Sequence, residues 1–123
     1  MSSLHSFPHE KLIAWQIARQ ARTAALAFTA TVPRGHGDEC RQINNAAASV
    51  VRNVCEGAGR WQPRDKIHKF QIAHGEGSEA AGAVVSLLDA GLGNDVLGAE
   101  FLRLEARACA LVTGLIKAQR RRI

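Results

Sequence analysis

Glu56-Gly57-Ala58-Gly59-Arg60 is the stretch of this chain that most resembles chemistry. A carboxylate beside two glycines and a guanidinium could cradle a phosphate or belong to an acid–base site. The phosphate cradle fails on context. No strand-forming run precedes the glycines, no third glycine follows at dinucleotide spacing, and no Lys-Ser or Lys-Thr pair completes a P-loop. Asn53 and Glu56 read instead as polar anchors at the end of a helix. A carboxylate in a last helical turn meets the negative end of the dipole, so Glu56 calls for a cation or a backbone donor. Arg52 and Arg60 stand four residues to either side, and the pair is expected to tie the following turn to backbone or arginine.

Other reactive residues are scattered. His5 and His9 are four apart, His68 and His74 six apart, and neither pair belongs to an HExxH or Cys/His cluster. His74 reads as a hydrogen-bonded interior or interface group. Cys40, Cys55 and Cys109 are odd in number, widely spaced and without a CxxC pair, the pattern of reduced core thiols. Ser49 and Ser78 lack a GxSxG context or a neighbouring base. The expectation is a protein without catalytic residues, metal ligands or cofactor.

The elements that must position these residues are helices. Hydrophobic residues make up 46% of the 123 and aromatics 5%, with alanine in excess and no tyrosine, which favours helices packed through small side chains. Periodicity and punctuation predict one domain of four helices, at about 9–29, 38–56, 64–90 and 95–121. Pro8 opens the first. Asp38 is the expected N-cap of the second and Gly57 its left-handed terminator, with Pro63 enforcing the break. The third carries a seam at Ile67, Phe70, His74, Gly77, Ala81, Val84 and Leu88, and Gly75, Gly77 and Gly82 suggest close helix–helix approach. Gly91 as C′ and Asn94 as N-cap make the last turn. The fourth steps through Leu97, Phe101, Leu104, Ala108, Leu111 and Leu115, with a second apolar stripe at Leu102, Cys109, Val112 and Ile116. That stripe needs another surface, which suggests self-association. The expected architecture is an all-α, antiparallel up-down-up-down four-helix bundle. No apolar run approaches the length of a membrane span, and Met1 to His5 lack the layout of a secretory signal, so a cytoplasmic location is expected.

Charge is unevenly placed. The net charge is +5, yet 70–102 contains no Lys or Arg and five acidic residues, so the remainder carries +10. A basic surface for an anionic partner and a solvated charged face both fit this asymmetry. The candidate phosphate contacts are Arg19, Arg22, Arg52, Arg60, Arg64, Lys117, Arg120, Arg121 and Arg122. For the last four, favourable pairing with a helix C-terminal dipole is the bland account, and salt-sensitive phosphate contact the functional one.

Three stretches resemble the four-helix-bundle family that includes ribosomal-RNA intervening-sequence proteins and the accessory variability proteins of diversity-generating retroelements. They are FPHEKLIAWQIA (7–18), with Trp15; INNAAASVVRNVCEGAGR (43–60), with Asn53, Glu56, Gly57 and Gly59; and FQIAHGEGSE (70–79), with Gly75 and Glu79. Val51, Arg52 and Glu76 depart from the family pattern. The resemblance implies a homopentameric ring without enzymatic activity, and some members act as basic accessory proteins that bind a reverse transcriptase and nucleic acid. Two functions follow as alternatives: an oligomeric accessory protein binding RNA or DNA, or a protein-interaction scaffold, for example for a reverse transcriptase.

Overall fold

Residues 8–11 turn rather than begin a helix, with i to i+3 bonds from Glu10 N to Phe7 O and from Leu12 N to His9 O. The first helix, α1, therefore runs Ile13–Thr29, starting four residues later than the expected His9, from an extended Leu12. The computed structural model describes residues 7–123; the His5 half of the His5/His9 pair lies outside them. Three further helices follow, α2 at Gly37–Gly59, α3 at Pro63–Asp89 and α4 at Asp95–Arg120. Among the described residues there is no strand.

Helix ends follow local chemistry, with two departures from expectation. Asp38 lies inside the first turn of α2 rather than capping it. Its carboxylate accepts from Arg41 one turn on, and the cap position falls to His36, which makes no side-chain cap bond. Gly57 does not terminate α2 either. It is buried within the helix, which continues to Gly59 and stops where Arg60 turns extended. The glycine is required there by space: a Cβ would stand 2.6 Å from a ring carbon of Phe70 on α3. Pro63 takes the first position of α3, where its missing N–H costs nothing. At the far end of α3, Gly91 adopts φ +75°, and the bonds Leu92 N to Leu87 O and Gly91 N to Leu88 O form a Schellman closure. Asn94 caps α4, its Oδ1 accepting from Leu97 N at 3.0 Å.

Each helix packs on two others, α1 and α3 both lying against α2 and α4. Phe28, Ile43, Val50, Val54, Val84, Leu87, Phe101 and Val112 form the deepest layer, and alanines 21, 25, 47, 73, 80 and 108 allow the helices to approach. The buried edge of α3 is Ile67, Phe70, Ala73, Gly77, Ala80, Val84 and Leu87. The seam thus turns one residue back from the expected His74, Ala81 and Leu88, which are half-buried. Of the three α3 glycines only Gly77 meets a neighbour closely, its would-be Cβ lying 2.6 Å from Cys109 Sγ. Gly75 and Gly82 face open space, so their expected role in helix approach is withdrawn.

The stripes of α4 are likewise redistributed. Val112 and Ile116, expected to need an external partner, are buried inside the chain, while Leu97, Leu111 and Leu115 are only half-buried. The straight 4-3 seam drifts around a 26-residue helix, so the core takes from both stripes. The stripe on its own no longer argues for association.

Two clusters of contacts close the ends. The α1–α2 and α3–α4 turns meet where Asn94 N donates to Thr31 Oγ1 at 2.9 Å and Phe28 packs on Gly93 and Gly98. At the other end, Lys66 near the start of α3 donates to Ala58 O at 2.8 Å at the end of α2. Arg122, just past α4, lines a cleft with Arg64 there.

Candidate functional site

The end where α2 stops, α3 starts and α4 stops gathers the basic residues. Arg60 is the C-cap of α2 and Arg121 that of α4. Arg64 and Arg122 face a cleft of about 430 Å³ together with Gln62, Pro63, Asp65 and Ile123. Lys66 reaches back to the last carbonyls of α2, where an ammonium answers the negative end of that helix dipole. Burial first, and the charge of Arg122 second, push the Lys66 ammonium below its ordinary value. Cations are therefore held close enough to repel one another. Along the adjoining α3–α4 groove lie Lys117 and Arg120, beside Gln71, His74, Thr113 and Ile116.

The remaining candidates stand elsewhere. Arg19 and Arg22 line a shallow hollow with Gln16, Gln20, Thr23 and Val51, and the Arg19 guanidinium sits 4.7 Å above the Trp15 ring. Arg52 lies in an α2–α3 groove whose wall includes Asp38, Glu76 and Glu79, an acidic setting that competes with phosphate. All nine candidates are exposed; the structure brings Arg64 and Arg122 to one cleft with Lys66 near Arg122, and leaves Arg60 and Arg121 as helix caps at the same end. Charge is thus divided along the bundle, since Asp89, Asp95 and Glu100 flank the α3–α4 turn.

The motif residues serve as ties between and within helices. Glu56 pairs with Lys69 of α3 at 3.1 Å, so its cation is a lysine across the helix interface and not Arg52 or Arg60. Asn53 donates to Ser49 O at 2.9 Å and Ser49 Oγ at 3.0 Å, a tie within its own helix and not to the turn. Glu79 accepts from Gln42 Nε2 at 2.9 Å.

Two arrangements escape sequence reasoning. Cys55 Sγ lies 3.3 Å from His9 Nδ1, with His9 held edge-on to Trp15. Burial and then Glu56 push the Cys55 thiol up, which disfavours the reactive thiolate. Glu105 is buried in α4, 1% exposed, with neither carboxylate oxygen hydrogen-bonded. Desolvation raises its pKa to about 7, and Cys109 one turn on is pushed up to about 11 by burial and by Glu105. The only sequence signal was a charged residue on the apolar side of α4. Among the described residues, no group of three or more His, Cys, Asp or Glu could hold a metal ion, and no helix is long and apolar enough to cross a membrane.

A four-helix bundle with one cationic end is the class these features define. A sequence model of the 23S rRNA-intervening sequence protein family matches residues 10–113, and the chain belongs to that family. No curated protein sequence matches it significantly.

Proposed function

We propose that the chain is a non-enzymatic, oligomeric bundle protein that binds RNA or DNA through the basic end formed by Arg60, Arg64, Lys66, Arg121 and Arg122. The observation that carries this reading is that Arg64 and Arg122, from the start of α3 and just past the end of α4, line one cleft, with the charge of Arg122 also felt at Lys66. Cations held against mutual repulsion gain most from a polyanion, whose condensed counterions are released as phosphates take their place. The meeting of the two turns at one end supports an up-down-up-down arrangement. The family resemblance supports a pentameric ring, in which five copies would present about +25 and repeat the patch around an axis.

Binding to labelled single- and double-stranded RNA and DNA across a salt series tests this. Affinity should fall steeply with salt, and the double variant R64A/R122A should lower the log–log slope by about 2. Absence of binding even at low salt would refute it. Light scattering tests the ring, and a monomer would remove it. A second reading, a protein-interaction scaffold, draws on exposed Ile13, Leu26, Val85 and Val96; it requires a partner whose capture survives nuclease treatment.

A further inference from the structure

Between Arg60 and Gln62, at the basic end, stands a side chain that charge alone does not explain. Trp61 is 89% exposed, more than any other large hydrophobic residue among those described. An indole left in water forgoes a substantial burial gain, and among the described residues no ring contact or hydrogen bond engages it. We infer that Trp61 is a stacking platform for an unpaired nucleobase, so that the basic end takes single-stranded polynucleotide in preference to duplex. This rests on the nucleic-acid reading above and adds the class of ligand to it.

Three observations converge. First, the platform is fixed from both sides. Arg60 N donates to the Glu56 and Gly57 carbonyls, Gln62 is extended, and Pro63 locks the first position of α3. The Trp61 backbone is therefore anchored at the residues before and after it, which limits the ordering cost of binding. Second, cations flank the ring along the chain: Arg60 precedes it, Arg64 follows three residues later, and Arg122 shares a cleft with Arg64. A strand whose base is seated on the indole would need only to extend past Gln62 to bring a phosphate to the Arg64–Arg122 cleft, where Asp65 is the sole acidic residue of the lining. Third, the chemistry selects strandedness. In a duplex both faces of a base are covered by its neighbours, whereas an unpaired base offers a face to an aromatic ring. Every base has such a face, so little sequence preference is expected.

The test uses the full chain and its W61A, W61F and R64A/R122A variants, with fluorescein-labelled oligo-U, oligo-dT and a duplex of matched length. Anisotropy titrations are repeated over a salt series, and the oligomeric state of each variant is measured by light scattering. The expected result is that W61A weakens single-strand binding about 5- to 150-fold, with the salt slope unchanged. W61F should retain most of the affinity, duplex binding should be unmoved, and R64A/R122A should change the slope instead. The oligo-U and oligo-dT arms separate RNA from DNA as the source of the base. The inference is overturned if W61A leaves single-strand affinity unchanged while salt-dependent binding persists, an outcome that leaves the broader reading standing. It is overturned equally if W61A weakens duplex as much as single strand, or if W61A alters the oligomeric state, which would make Trp61 a contact between copies. No binding to any oligonucleotide at low salt would remove both.

Discussion

Replacing Glu105 by glutamine should flatten a pH dependence that the wild-type chain carries in its core. The carboxyl is 1% exposed and neither oxygen is hydrogen-bonded, and desolvation lifts its pKa from 4.5 to about 7. Below about pH 4.5 the group is protonated in both the folded and the unfolded chain, and burial carries no ionisation cost. Between there and about pH 7 only the unfolded chain releases the proton, so stability falls as pH rises; above about pH 7 both states are ionised and the loss saturates. A shift of roughly 2.5 units at about 1.4 kcal/mol each makes the loss about 3 kcal/mol, against a total of about 6–18 kcal/mol for a chain of this size. Urea denaturation near pH 5 and pH 8, at one fixed protein concentration, measures it. Any other pH-dependent contribution is common to the two chains, so the decisive quantity is the wild-type change minus that of E105Q. That difference should be on the order of 3 kcal/mol, the wild type losing more. E105L, which removes the buried polar group altogether, should exceed wild type most at pH 8. Parallel pH profiles for wild type and E105Q would refute the reasoning, because they would mean the carboxyl is solvated or partnered.

Other perturbations have equally definite outcomes. G75A and G82A should each raise stability by about 0.5–1 kcal/mol, since both positions face open space in a helix, whereas G77A should destabilise in the same denaturation assay because its methyl would meet Cys109 Sγ at 2.6 Å. Timed iodoacetamide labelling read by mass spectrometry should find Cys109 the slowest of the three thiols in the folded chain, as its pKa of about 11 implies, with the difference vanishing in denaturant. N94A should cost about 1 kcal/mol by freeing Leu97 N, visible as a lower urea midpoint with unchanged slope.

The four helices were legible because apolar period and Gly/Pro punctuation act locally. Gly91 and Asn94 are the clearest cases, one supplying positive φ and the other a side-chain acceptor. What failed depended on neighbours distant in sequence. Gly57 looks like a helix stop until Phe70 is known to press on it. Glu56 has arginines at helical spacing, yet Lys69 wins it by standing across the α2–α3 interface. Glu105 could not be singled out, because a carboxylate two turns from Leu97 and Leu111 sits equally well on the edge of an apolar face as inside it. Among the basic candidates, those near helix termini came together, since the packing brings those ends to one place, and Arg19, Arg22 and Arg52 were left on the flanks.

The lengthwise division of charge, basic at the α2–α3 corner and acidic at the α3–α4 turn, gives each molecule a permanent electric moment along its axis. A drifting copy near a polyanion experiences a torque that swings the cationic tip forward, so productive collisions exceed what its modest net charge would deliver. The torque fades beyond a Debye length, about 8 Å in physiological salt. Neighbours standing shoulder to shoulder with tips level repel at both extremities, while inverted neighbours attract. Any assembly that points every tip the same way must therefore be held by its flanks, and added salt should tighten it even as it loosens the grip on a bound polyanion.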